Sequence, residues 1–553
     1  MDTITALADE FHAFHLQSDR MGALWKGNLD TLELWEDFTP DGVEHRRSEL
    51  RRFASTAGAA TVEIGPHPTL DLIAFAAGST DEQLEWYHDL QLFNSNMGFH
   101  PMLLTFGPRF PLTTAEHGER YLVRMANLPD TLTEFAARIV SAVARGRVAN
   151  RTIGEQTLAG LDRHLGAPTD PLLAQPAPTE MTATEAARWR DRLAAILTDQ
   201  VRPALSDLRK VVHDVALPAA RPDSQPGLVY LDGGAESYER LVWANVTRAV
   251  PSRRVHDIGR QQVEKLEDEY PQIAGPLLGT TNVAEIYDRL RSDPALHYSD
   301  AATLVADATR ALARAAAAMG DWFGVLPKAP CVAKSIEQGP LAFYSQPAID
   351  GSKPGTFFFN TADPSMWGTF QVEATTYHEG IPGHHLQVAL ALENEDLHPI
   401  HHEPLSVAYL EGWALYTERV ADEMGLYSSD LDRVGMLAAD SMRACRLVVD
   451  TGLHALGWSR EQAIRYMLDH SPMTRTQVEG EIDRYVGVPG QALGYMMGRL
   501  EIEEIRSNAE ARLADRFDIK DFHDVVLGHG DVPMETLARM VDEWIDMAIG
   551  HRP

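Results

Sequence analysis

Apolar residues recur at helical spacing along most of this 553-residue chain, and that recurrence confines it to a mainly α fold. In "TLTEFAARIVSAVARG", Phe135, Ile139 and Val143 fall at i, i+4 and i+8. Thr131 and Glu134 read as a capping box ahead of them, and Gly146 as the stop. "EAARWRDRLAAILTDQV" repeats the pattern through Trp189, Leu193, Ile196 and Leu197, and the Ala-rich "AATLVADATRALARAAAAMGDWFG" closes at Gly320. Two proline-rich stretches, "GAPTDPLLAQPAPTE" and "LPAARPDSQPG", interrupt the helices as connections. Strand signals are few. "LAFYS" and "TFFFN", joined by the turn-rich "QPAIDGSKPG", predict one small β hairpin. The chain divides into an N-terminal helical region, 1–230, and a second helical region, 231–553, expected to form one continuous compact unit.

Composition narrows the partners. Net charge is −31, which argues against nucleic acid and anionic membrane. No run approaches ~18 uninterrupted apolar residues, so no transmembrane helix is expected. The opening "MDTITALADEFHAFHLQSDR" is amphipathic with early acids, unlike a signal peptide, and a cytoplasmic location is expected. Cys331 and Cys445 make neither a disulfide framework nor a metal-type spacing. Any metal therefore rests on histidines and carboxylates.

Tyr377 to Gln387, "YHEGIPGHHLQ", nearly spells the zinc-protease pattern His-Glu-x-x-His. His378 and Glu379 are in place, but Pro382 stands where the second histidine belongs, and His384 and His385 follow late. In a straight helix His384 would sit about 120° off the His378 face, and His385 about 10 Å along it. Gly380, Pro382 and Gly383 are helix breakers placed where the spacing needs a break. A distorted spacer can return either histidine to a shared metal. The competing reading is a His-rich loop, as "LHPIHHEP" nearby illustrates.

Downstream, "LSVAYLEGWALYTERVADEMG" is an amphipathic helix with Glu411 and Glu418 seven apart on one face. Glu411 completes a two-His, one-Glu set for one divalent ion, most plausibly zinc, with a position left for water. Manganese and cobalt suit the same donors. Glu418 can orient a ligand histidine, and Glu379 can take the proton of the water. An oxyanion donor is offered by Tyr485 and Tyr495, on either side of a Pro-Gly turn in "DRYVGVPGQALGYMMGR". A substrate carboxylate would need a fixed cation, for which Arg446, Arg484 and Arg499 are candidates. Asp450, four residues after Arg446, makes a structural ion pair an equal reading, and His454 reads as a core histidine. "TFFFN" can act as an edge strand that pairs with an extended peptide, or as a hairpin packed on the core.

"HEGIPGHHLQ", "LEGWALYTE", "RLVVDTGLHALGWSREQA" and "RYVGVPGQALGYMMGRLEI" together resemble the bacterial family labelled domain of unknown function 885. The matching segments run from "VHDIG" near His256 to "GRLEIEEIR" at Arg506, and the N-terminal half is compatible. The resemblance implies a large helical fold similar to zinc metallopeptidases of the thermostable-carboxypeptidase class, with a small hairpin near the site. Those enzymes carry a compact His-Glu-x-Gly-His signature. The match of its Gly-His to Gly383-His384 favours His384, and the Tyr near a following Gly favours Tyr495; the two-residue longer spacer departs from the pattern.

The expected function is a zinc-dependent peptide hydrolase, carboxypeptidase-like, with His378, His384 and Glu411 on the metal and Glu379 as base. Two other readings keep the metal: an amidase acting on a non-peptide substrate, and a catalytically silent binding protein. Glu379 counts against the last, since a structural zinc takes four protein ligands and no base.

Overall fold

The computed structural model describes residues 3–90, 98–337, 339–349 and 351–550. Helices dominate, and among the described residues the strands are confined to one three-stranded sheet. The largest apolar cluster runs from Leu24 to Met496 and takes Leu228, Leu231 and Tyr238 from either side of residue 230. A second gathers Phe323, Trp413, Ile502, Phe522 and Leu537 around the C-terminal helices. Among the described residues no helix is long and apolar enough to cross a membrane.

Packing overrides one local signal. The expected helix start at Thr131 lies inside a longer helix, Ala115–Ala144, whose real capping box is Thr114 with His117. Tyr121, Leu122, Met125 and Leu128 are buried ahead of Leu132, Phe135 and Ile139, so the apolar stripe carries the helix through Pro129. Glu134 instead accepts from the Phe38 amide at 3.1 Å.

The hairpin forms, inside a larger sheet. β1 (Cys331–Ile336), β2 (Ala342–Ser345) and β3 (Gly355–Asn360) lie in the order β1-β3-β2. β2 pairs antiparallel with β3, while β1 pairs parallel along its other side, Cys331 opposite Gly355. "TFFFN" is therefore the central strand, and the edge-strand expectation is wrong: both its ladders are filled within the chain. "CVAKSI" lacks aromatic alternation, so β1 gave no sequence signal. Phe357 and Phe359 pack against Leu304, Leu312 and Val372, fixing the sheet to the helices behind the histidines.

Helix Val407–Glu423 and helix Leu493–Leu513 approach closely enough that only glycine fits between them. A Cβ on Gly498 would lie 1.9 Å from the Ala408 carbonyl oxygen, and one on Gly412 would lie 2.6 Å from Gly498 Cα. Glu411 precedes one glycine and Tyr495 lies one turn before the other, so this contact brings both side chains to one place. Gly498→Ala is expected to cost about 2 kcal/mol or more, read as a lowered thermal midpoint. An unchanged midpoint would mean that the helices can separate freely.

Candidate metal centre

Three chain segments bring the histidine cluster together. Helix Gln371–Glu379 ends at the base candidate, and helix His384–Glu393 begins at the second histidine. Between them the chain turns: Gly380 ends the first helix at φ −96°, ψ −124°, and the Ile381–Pro382 bond is cis. Gly383 is packed so tightly that a Cβ would meet the His378 carbonyl oxygen at 2.0 Å. The Trp413 indole donates to the Pro382 carbonyl at 3.1 Å, pinning the turn to helix Val407–Glu423. The spacer thus breaks one helix into two.

The break sorts the two adjacent histidines. His378 Nε2 and His384 Nε2 lie 3.5 and 3.4 Å from Glu411 Oε2. One ligand atom from each of these residues lies within 4.8 Å of the others. His385 points elsewhere: Nε2 donates to the Ala329 carbonyl at 2.9 Å, and Nδ1 accepts from the Tyr344 hydroxyl at 2.9 Å. Both its nitrogens are occupied. Gly355 makes room for it, since a Cβ there would sit 2.2 Å from His385 Nδ1.

Hydrogen bonding fixes the tautomer of His378. Its Nδ1 donates to Glu418 Oε1 at 2.8 Å, which turns the Nε2 lone pair toward Glu411. Nε2 and a carboxylate oxygen at 3.5 Å need a cation between them, either a ring proton or a metal ion, and Glu411 Oε2 is buried without a hydrogen-bond partner. Burial disfavours a charged His378, yet Glu411 and Glu418 outweigh it and raise the imidazole to about 9. Burial would likewise raise Glu411, but the neighbouring imidazoles of His378 and His384 hold it well below the usual carboxylate range. Glu379 is pushed up, first by burial and then by Glu411. Its carboxylate has no hydrogen-bond or ion-pair partner among the described residues. The donor set fits one divalent ion.

The tyrosines separate as well. The Tyr495 ring is nearly parallel to His378, centroids 6.5 Å apart, and carries the Arg446 guanidinium 4.4 Å from its centroid. Tyr485 is fully buried, with its hydroxyl donating to Glu481 and accepting from Arg446 Nε at 2.9 Å. It is not brought to the triad. Arg446 Nη2 and Arg484 Nη2 both donate to Glu481 Oε2, at 2.8 and 3.1 Å. Arg446 Nη1 and Arg484 Nε remain buried without partners. Arg499 is committed to Asp440 and Glu503 and belongs to the scaffold.

Three contributors escaped the sequence reading. Glu481 holds both arginines. Tyr344 stands 6.5 Å from His384, centroid to centroid. Arg443 lies 3.7 Å from Glu418 and 6.0 Å from the Tyr495 centroid. Arg443 and Glu481 had a usable signal, each three residues from a candidate arginine on one helix face, Arg446 and Arg484 respectively. His454 is the core histidine expected, accepting from the Leu228 amide and donating to the Tyr485 carbonyl.

A model of the family described as "Bacterial protein of unknown function (DUF885)" matches residues 21–541. The chain belongs to that family. No curated protein matches it. Among solved structures it is similar to a "putative lipoprotein" from Colwellia psychrerythraea, at 27% identity and a TM-score of 0.90, covering 98% of this chain and 99% of that one. A second protein so described, from Shewanella oneidensis, shares the fold at 18% identity and a TM-score of 0.72, with 98% and 100% covered.

Asp450 shapes the turn that leads to Tyr495. It accepts from the Tyr238 hydroxyl at 2.6 Å and the Gly490 amide at 3.0 Å, not from Arg446. Burial raises its carboxyl to about 7. The native state then binds a proton that the unfolded chain releases, so this contribution to stability is full below about pH 4 and lost as pH rises through about 7. Asp450→Asn keeps an acceptor and removes the titration. It should flatten the pH dependence of the denaturation midpoint between pH 4 and 8; an unaltered slope would refute the assignment.

Proposed function

We propose that this protein is a metal-dependent, carboxypeptidase-like peptide hydrolase, with zinc as the expected ion. The observation that carries the reading is the convergence of His378 and His384 on Glu411, with Glu379 adjacent and unpaired. His378, His384 and Glu411 would hold the ion, and its chemistry would be to acidify a water and polarise the scissile carbonyl.

The other tasks fall to the chain itself. Glu379, partly exposed at the helix end, accepts the proton of the attacking water and returns it to the leaving amine. The Tyr495 hydroxyl donates to the developing oxyanion, and Arg446 under its ring keeps it in place. Glu418 holds His378 in the tautomer that presents Nε2. The spare N–H groups of Arg446 and Arg484 suit a substrate carboxylate, which makes the terminal peptide bond the expected target. A cytoplasmic location belongs to the same proposal. The lipoprotein description of the solved relatives applies to those proteins, and cell fractionation tests it here.

Purified without chelator, the protein should carry about one divalent ion per chain. His384→Ala and Glu411→Ala should each empty the site, whereas His385→Ala should keep the ion. Metal analysis showing the reverse ranking of the histidines would assign the ligand to His385. Glu379→Gln should retain the ion and lose at least ~100-fold in turnover of a peptide library; wild-type rates in that variant would end the general-base role.

Substrate ends give a separate test. Amidating a peptide's C-terminus should abolish most cleavage, and acetylating its N-terminus should change little. The opposite sensitivity, measured by mass spectrometry of digests, would exclude a carboxypeptidase.

A further inference from the structure

The sheet has two faces; one is covered throughout, and the other is covered at Ser345 and Thr356 but open further along. Ala342, Tyr344, Phe357 and Phe359 point into the cluster beneath it. On the other face Lys334, Phe358 and Phe343 form one row across the three strands. The two phenylalanine rings stack at 4.8 Å and 23°. Both are only partly buried, and neither belongs to any buried apolar cluster. Lys334 is exposed and has no ion pair among the described residues. Lys353, also exposed, donates only to Ser345 Oγ at 2.8 Å, on the same face as Phe343. Among the described residues no carboxylate pairs with either lysine.

Charge along the chain is inverted here. The whole protein carries −31 and has seven lysines, three of them at 328, 334 and 353. Over 328–360 those three stand against Glu337 and Asp350, leaving +1. Two cations without a carboxylate partner among the described residues, beside an open aromatic pair in so acidic a molecule, match an acidic ligand that also offers apolar side chains.

The metal centre gives that ligand a direction. Tyr495 and the arginines that suit a carboxylate flank His378, whereas Tyr344 flanks His384. Tyr344 lies on the covered side of the sheet, but β2 is an edge strand, so a peptide anchored by its carboxyl end at the arginines leads its amino-terminal side to β2 and over that edge onto the outer face. We propose that the outer face of the sheet docks an acidic, aromatic-bearing stretch of the peptide substrate, on the amino-terminal side of the cleaved bond. This rests on the hydrolase reading, but its binding step is measured separately.

The probe is a fluorescein-labelled peptide of alternating Glu and Phe with a free C-terminus, beside a matched peptide with Lys for Glu. Binding by anisotropy uses the full chain carrying Glu379→Gln, with and without Lys334→Glu and Lys353→Glu together. The acidic peptide should bind at least ~10-fold more tightly than the basic one, and the double lysine change should erase that advantage. With Glu379 intact, the lysine changes should lower kcat/KM for the long acidic peptide by a similar factor and leave a short blocked dipeptide unaffected. Undiminished affinity in the lysine variant, or equal affinity for both peptides, overturns the docking face. Lysine-dependent binding without any effect on kcat/KM of the long peptide would mean a separate acidic protein partner, and overturns the substrate assignment. If no peptide is cleaved while binding still depends on the lysines, the hydrolytic reading fails and the docking face stands.

Discussion

A carboxylate enclosed by two imidazoles is the interaction on which the rest of the site depends. Glu411 lies mostly buried between His378 and His384, where an uncompensated charge would cost several kcal/mol. Everything around it addresses that cost. Glu418 settles which nitrogen of His378 faces inward, the broken spacer swings His384 into place, and the Gly412–Gly498 contact lets the Glu411 helix come close. The positions of Glu379 and Tyr495 follow from those adjustments.

Much of the centre could be read from sequence, because its residues lie on local patterns. The His-Glu pair, the seven-residue spacing of Glu411 and Glu418, and the helix breakers of "GIPG" need only helical geometry to interpret. The choice between His384 and His385 needed three dimensions: it turns on Tyr344 and on the Ala329 carbonyl, both distant in sequence. The same holds for the contact of Glu481 with Arg446, which forms only when helix Arg475–Gly487 folds against that arginine. β1 was invisible for another reason. A short parallel strand takes its partner from 24 residues away in register, and its own residues alternate weakly. Thr131 shows the reverse failure, a sound local signal overruled by a long apolar stripe.

Charge is distributed against the average of the molecule. A chain of −31 brings Arg443, Arg446 and Arg484 around one tyrosine and offsets them with Glu418 and Glu481. The remaining unpaired N–H groups are buried, where water competes least.

The order of strands in the sheet has a consequence for how the protein is made. Its middle strand is the last of the three to leave the ribosome, so β1 and β2 emerge as two segments with nothing to pair with. Residues 355–360 must then thread between them, and with that step Gly355 arrives beside His385. A chain stalled a few residues short of this point has neither a sheet nor a seat for the histidine pair, and it shows bare backbone edges to its neighbours. His378, His384 and Glu411 follow later still, onto a sheet whose three strands already exist.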